Sequence, residues 1–184
     1  MKTAFYDQLD LPLVRDLEAA APAIREEFER LEIESMSQAW HERHIYSEGW
    51  SIFGFRWQGQ DLSPAYQTCP VTAAILARHG AMIDTAGFSI LQAGSIIYPH
   101  VGYTDEVLRL HLGVIVPTGD LALRVGDEVR QWEEGKCFVF DDTIEHEVWN
   151  RTPHKRVALL IDLKKSCLPL EASSLAATAQ AISA

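Results

Sequence analysis

Val107-Leu-Arg-Leu-His-Leu-Gly-Val-Ile-Val116 is the stretch on which the fold turns. Side chains alternate across a strand, so Leu108, Leu110 and Leu112 point one way and Arg109, His111 and Gly113 the other. A solvated outer face would carry such a pattern, and so would a face that lines a pocket. One arginine, one histidine and one glycine inside so apolar a run favour the pocket. A buried arginine would then need an anionic partner.

Outward from this strand, residues 87–91, 121–125, 128–132, 137–140, 146–150 and 156–163 are short runs of β-branched, aromatic and apolar residues separated by turn formers. Gly126-Asp127 reads as a two-residue hairpin turn, and residues 50–57 (WSIFGFRW) as a further strand. The first third reads helical: Leu13, Val14 and Leu17, then Ile24, Phe28 and Leu31, recur at helical spacing. Pro22 is expected to begin a second helix at its first turn rather than interrupt one long helix. Residues 70–80 read as a short helix closed by Gly80. Short antiparallel strands with helices to one side point to a sandwich or barrel.

The 184 residues suit one domain. We expect residues 1–168 to form it, helical over about 10–45 and β over about 50–165, with an Ala/Ser-rich tail at 169–184 that is a weak helix or disordered. Against 26 acidic residues stand 16 Lys and Arg, a net charge of −10. That balance argues against nucleic acid and against a polybasic grip on a membrane. It leaves small anions open, since a few local arginines can bind them. No run approaches the ~20 apolar residues of a membrane helix. The opening MKTAFYDQLDLPL has acids where a signal peptide would be apolar. Cys69, Cys137 and Cys167 show no CxxC spacing, so reduced thiols and a cytoplasmic setting are expected, with Cys137 a small core residue.

Arg156 opens the apolar run 156–162, either as an edge-strand arginine in water or as a clamp for a carboxylate. His100 and His146 stand at the borders of strands, where a barrel mouth would lie. Neutral imidazoles suit Fe, Zn or Cu, or the rings are structural. The usual non-haem iron set of two histidines and a carboxylate fails here as H-x-D, because Gly102 follows Val101.

Taken together, PHVGYTDEVLRLHLGVIVP, LRVGDEVRQWEEGKCFVFDDTIEHEVWN and RVALLIDL strongly resemble the aspartyl/asparaginyl β-hydroxylase family, over about residues 50–163. The resemblance implies a mainly β fold, a double-stranded β-helix (jelly roll, cupin-like) with flanking N-terminal helices. It implies an Fe(II)- and 2-oxoglutarate-dependent dioxygenase using O2, and the His-x-Gly variant points to this subfamily. By the same resemblance His100 and His146 would ligate iron, and Asp142 would hold an iron-bound water. Ser89, His111 and Arg156 would bind 2-oxoglutarate; Arg109 would meet the substrate carboxylate and Trp50 would line the substrate side. Val107 stands where the animal enzymes carry a second arginine, and only about fifty residues precede the matched region. Both features favour a small or carrier-bound amino acid, hydroxylated at its β-carbon, over an EGF-like domain.

Rival readings remain. Gly135, His146 and Asn150 keep the outer spacing of a second cupin motif, although the first lacks its second histidine. A non-catalytic jelly-roll binding protein would explain the missing carboxylate. The same chemistry on another amino acid or an acyl chain is a third. Residues 40–50 would decide specificity, with His41, His44 and Glu48 as substrate contacts or as loop polars.

Overall fold

The computed structural model describes residues 3–169, so the tail expected at 169–184 lies almost wholly outside the described residues. In chain order come α1 (Pro12–Glu29), α2 (Ile33–Met36), β1 (Gln38–Ala39), β2 (Trp50–Trp57), β3 (Gln60–Asp61), α3 (Ser63–Thr68) and α4 (Pro70–Arg78). The strands β4 (Ile83–Leu91), β5 (Ile96–His100), β6 (Val107–Ile115), β7 (Leu121–Val125), β8 (Glu128–Arg130), β9 (Cys137–Phe140), β10 (His146–Asn150) and β11 (Arg156–Lys164) follow. A major sheet runs β1-β2-β4-β11-β6-β9, with β3 on β2, and a minor sheet runs β5-β10-β7-β8. All strand pairs are antiparallel, and together they form the jelly roll.

Strand alternation divides the core in two. Phe53, Phe88, Leu108, Leu110, Leu112, Leu159 and Ile161 pack outward onto Leu13, Leu17, Ile24 and Phe28 of α1. Trp50, Leu91, Phe140 and Ala158 point inward and meet Leu121, Leu123, Val125 and Val148 of the minor sheet. Arg109 and His111 are both buried on the inner side, so this face of β6 is not a solvated one.

Three sequence expectations need correction. Pro22 starts no helix; α1 runs through it. Its buried stripe of Leu13, Leu17, Ala21, Ile24 and Phe28 stays in register across the proline. Burial of that stripe outweighs the roughly 3 kcal/mol that an internal proline costs. Strand β5 is not expected from the sequence because Pro99 interrupts it; as the edge strand of the minor sheet its one strand partner there is β10, and an edge tolerates a missing donor. Strand β8 stops at Arg130 rather than 132, because the chain then crosses β6, where the Glu133 carbonyl fills the space a Gly113 Cβ would need. The hairpin turn is as expected: Gly126 has φ +57°, and Val125 pairs with Glu128.

One buried acid fastens the helical layer. Glu27 on α1 is 4% exposed, and its carboxylate accepts bonds from the Val71 and Thr72 amides (2.6 and 3.0 Å) and the Thr72 hydroxyl (2.7 Å). It thus caps α4 from another helix, a role usually taken by a local side chain. Glu27→Ala leaves three donors without a partner and should cost about 3–5 kcal/mol, read by chemical denaturation. Glu27→Gln keeps one carbonyl acceptor and should cost about half. A loss under ~1 kcal/mol for the alanine variant would refute the cap.

Candidate functional site

The registers of β4, β11 and β6 assemble the inner face. Arg156 lies opposite Leu91, Ala158 opposite Ser89, and Leu160 between Gly87 and His111; Asp162 faces Arg109. Alternation then brings Ser89, Arg156, Asp162, His111 and Arg109 to one surface. Across the barrel, β10 pairs with β5 so that His146 lies opposite His100, with ring centroids 4.2 Å apart.

The two imidazoles are held alike. His100 Nδ1 lies 2.7 Å from the Tyr98 carbonyl and His146 Nδ1 3.0 Å from the Ile144 carbonyl. A carbonyl only accepts, so each Nδ1 carries the proton and each Nε2 keeps its lone pair. Burial pushes both rings down, His146 to about 3 with His100 adding to it, so both are neutral near pH 7. This donor set suits a divalent transition metal. Among the described residues no group of three or more His, Cys, Asp or Glu is placed to hold an ion. A metal here would have two protein ligands and draw the others from small molecules.

The place of a third ligand is taken. A Cβ on Gly102 would sit 2.5 Å from Asp142 Cγ, and the Gly102 amide donates to the Asp142 carbonyl (2.7 Å). Asp142 is 1% exposed; its Oδ2 lies 3.1 Å from Arg109 Nη2, and its Oδ1 has no partner. Arg109 gives its better geometry to Asp162, with Nε–Oδ1 at 2.8 Å and Nη2–Oδ2 at 3.3 Å. Burial alone would lower Arg109, but Asp162 and then Asp142 outweigh it and hold the guanidinium charged. Asp142 receives only a share of that charge, and burial raises its carboxyl to about 6. The anionic partner required by Arg109 is therefore already inside the protein, and Asp162 is a site residue that sequence reading missed. Its parity with Arg156 along β11 was visible, but the register opposite Arg109 was not.

Arg156 is the contrasting cation. It is 1% exposed, and its Nη1 donates to the Ser89 carbonyl (3.1 Å) and hydroxyl (3.3 Å). Its Nε has no partner, and burial pushes it down to about 9. Ser89 Oγ also accepts from Trp50 Nε1 (3.0 Å), and Trp40 stacks on Trp50 at 4.5 Å. His111 lies between Phe140 and Trp132; burial, then Arg156 and Arg109, hold it neutral. Among the described residues, the buried side-chain nitrogens and oxygens without a hydrogen-bond partner are Arg56 Nε, His111 Nε2, Asp142 Oδ1 and Arg156 Nε. Three of these four belong to this one cluster on the inner face. Buried polar groups are ordinarily satisfied, so this concentration makes the inner face the candidate site.

Beside the chamber, at the β2 edge, a groove of about 530 Å³ is lined by Met36, Trp40, Ile52, Phe53, Trp57 and Leu62. His41 faces the same groove, edge-on to Trp57. His44 and Glu48 are exposed on the loop before β2. No helix among the described residues is long and apolar enough to cross a membrane.

The chain resembles proteins of known name. It is 36% identical over 169 residues to the ornithine lipid ester-linked acyl 2-hydroxylase of Rhizobium tropici, covering 87% of this chain and 60% of that protein. It is 36% identical over 118 residues to the aspartyl/asparaginyl beta-hydroxylase of Mus musculus, covering 62% of this chain but 16% of that one. The chain thus spans less than two thirds of the length of both relatives. Its fold is that of a Pseudomonas putida prolyl-4-hydroxylase, with a TM-score of 0.52 at 16% identity over 88% of this chain and 92% of that one. Residues 18–166 match the family described as aspartyl/asparaginyl beta-hydroxylase, and the chain belongs to that family.

Proposed function

We propose that this chain is an Fe(II)- and 2-oxoglutarate-dependent dioxygenase that hydroxylates an unactivated carbon of a small or carrier-bound substrate. The observation that carries the reading is the chamber itself, which joins two neutral imidazoles with free Nε2 lone pairs to an unpaired buried arginine. His100 and His146 would hold the iron. Arg156, with Ser89 beside it and His111 opposite, would clamp the distal carboxylate of 2-oxoglutarate. Bound together, iron, 2-oxoglutarate and O2 supply the oxidant that turns C–H into C–OH, with succinate and CO2 as the other products. The protein supplies position and a dry wall: Phe140 and Trp132 close the chamber around His111. Asp142 Oδ1 is free to accept a hydrogen bond from a water beside the imidazoles, in place of a ligating carboxylate.

For the substrate, our first reading is an amino acid hydroxylated at its β-carbon. Arg109 would meet its carboxylate through Nη1, since the bonds to Asp162 and Asp142 use Nε and Nη2. Trp50, backed by Trp40, would stand on the substrate side. A specific observation favours a second reading, an acyl chain. The charge of Arg109 is already matched by internal carboxylates, and an apolar groove opens beside Trp40 and Ile52.

Anaerobic titration with Fe(II) and 2-oxoglutarate, followed by succinate release in air, tests the chemistry. Binding of both and slow succinate formation without substrate are expected; a protein that binds neither overturns the proposal. Mass spectrometry for one added oxygen atom across free amino acids, aminoacyl carrier proteins and acyl lipids then separates the two substrate readings.

A further inference from the structure

Trp132 lies just beyond β8 and is 5% exposed. Its Nε1 stands 3.3 Å from His111 Nδ1, and the two rings are nearly parallel, 20° apart. An indole nitrogen only donates, so His111 Nδ1 must accept. The single proton of the neutral imidazole therefore sits on Nε2, the buried atom that finds no partner among the described residues. In this tautomer His111 offers the chamber an N–H donor. The opposite tautomer would aim a lone pair there and repel an anion.

The same indole supports the neighbouring cation. The Arg156 guanidinium carbon lies 4.8 Å from the Trp132 ring centroid, within cation–π range. Arg156 bonds to Ser89 through Nη1, and the Trp132 ring lies beside the guanidinium. One side chain thus touches both groups whose donors, His111 Nε2–H and Arg156 Nε–H, are left unmet.

We propose that Trp132 is the positioning residue of the co-substrate site, fixing His111 as the Nε2–H tautomer and seating Arg156 so that both offer N–H donors to an oxygen-rich anion. This rests on the 2-oxoglutarate reading above. Trp132 itself need not touch the ligand. Its roles are separable, because the indole N–H serves His111 and the ring face serves Arg156.

The test uses the full chain. Long-range ¹⁵N–¹H NMR of the histidine rings should show His111 protonated at Nε2 in the wild type. Trp132→Phe keeps a ring and removes the N–H, so it should mix or reverse that tautomer. The same variant should bind 2-oxoglutarate about tenfold more weakly in anaerobic Fe(II)-loaded protein, the equivalent of one hydrogen bond at ~1.4 kcal/mol per decade. Trp132→Leu, which also removes the ring face, should weaken it by ~100-fold. Iron affinity should be unchanged in both, which a general loss of structure would not allow. In a His111→Gln background, whose amide donor needs no tautomer, Trp132→Phe should cost little. An unchanged His111 tautomer in Trp132→Phe, or unchanged 2-oxoglutarate affinity, overturns the proposal. Wild-type protein that holds iron but no 2-oxoglutarate overturns the co-substrate reading instead, and the NMR result then judges the tautomer assignment on its own.

Discussion

Replacing Arg156 with methionine is expected to weaken 2-oxoglutarate binding severely and, in the same step, to make the ligand-free protein more stable. Arg156 is 1% exposed and forms no ion pair among the described residues; its partners are Ser89 oxygens and the Trp132 ring. Burial pushes it well below the usual arginine value, to about 9. At 1.36 kcal/mol per unit that is a penalty of roughly 5 kcal/mol for keeping the cation inside. Methionine fills a similar stem volume with no charge to desolvate. After the lost polar contacts are deducted, a net gain of about 1–3 kcal/mol is expected, or roughly 2–4 °C in Tm per kcal/mol for a chain of this size. Removing the clamp from a buried carboxylate should weaken 2-oxoglutarate by ~100-fold or more. Iron affinity should be unchanged, since neither His100 nor His146 contacts Arg156 by hydrogen bond.

The pH dependence follows with a definite sign. Below pH 9 the arginine is protonated in both folded and unfolded chains, so the penalty is fully present and the advantage of the variant is flat. From about pH 9 up to the usual arginine value the unfolded chain binds more protons, so wild-type stability gains on the variant as pH rises. Denaturation of both proteins at pH 7 and pH 10, without ligand, checks this. A variant less stable than wild type at pH 7 would show that Arg156 is structural rather than held ready for an anion. The wild type should recover its deficit when 2-oxoglutarate binds, by linkage.

How much of this was legible in the sequence depends on the range of the interaction. The alternation in residues 107–115 is a property of neighbours, so the inner placement of Arg109 and His111 could be read directly. The hairpin at Gly126 is equally local. Pro22 was misread because its local rule was overridden by burial of a helical stripe against a sheet formed 30 to 140 residues later. Asp162 and Trp132 were missed for the same reason. Nothing near Asp162 in the chain says that it will face Arg109, 53 positions away, and Trp132 reads as one more strand aromatic until its Nε1 is seen against His111. The arginines illustrate the limit well. Sequence treats Arg109 and Arg156 alike, as strand-borne cations. Only register separates the one with two internal carboxylates from the one with none.

The second large effect concerns the missing carboxylate. Gly102→Asp would restore the H-x-D pattern in name, yet it is expected to fail alone. Gly102 is not among the glycines at positive φ, so the backbone permits the change. Space does not: a Cβ would stand 2.5 Å from Asp142 Cγ, in a buried setting that cannot yield as a surface would. It would also set a second carboxylate beside one already raised to about 6, with Arg109 shared among three acids. Overpacking and an unmatched buried charge together should cost about 4–6 kcal/mol, enough to leave the single variant poorly folded. Gly102→Asp combined with Asp142→Gly moves the carboxylate instead of adding one, and should recover most of that stability. The double variant would then present two imidazoles and a carboxylate, and its divalent-metal affinity should exceed the wild-type value by about 10–100-fold, within the range ascribed to single changes around a metal site. Chelator competition with Mn(II) or Fe(II) reads that affinity, and denaturation reads the stability. If Gly102→Asp alone is as stable as wild type, Asp142 does not fill the ligand's place. If the double variant folds but binds metal no better, His100 and His146 are not arranged around an ion. Either result separates steric exclusion from coordination, which the glycine in His100-Val101-Gly102 otherwise ties together.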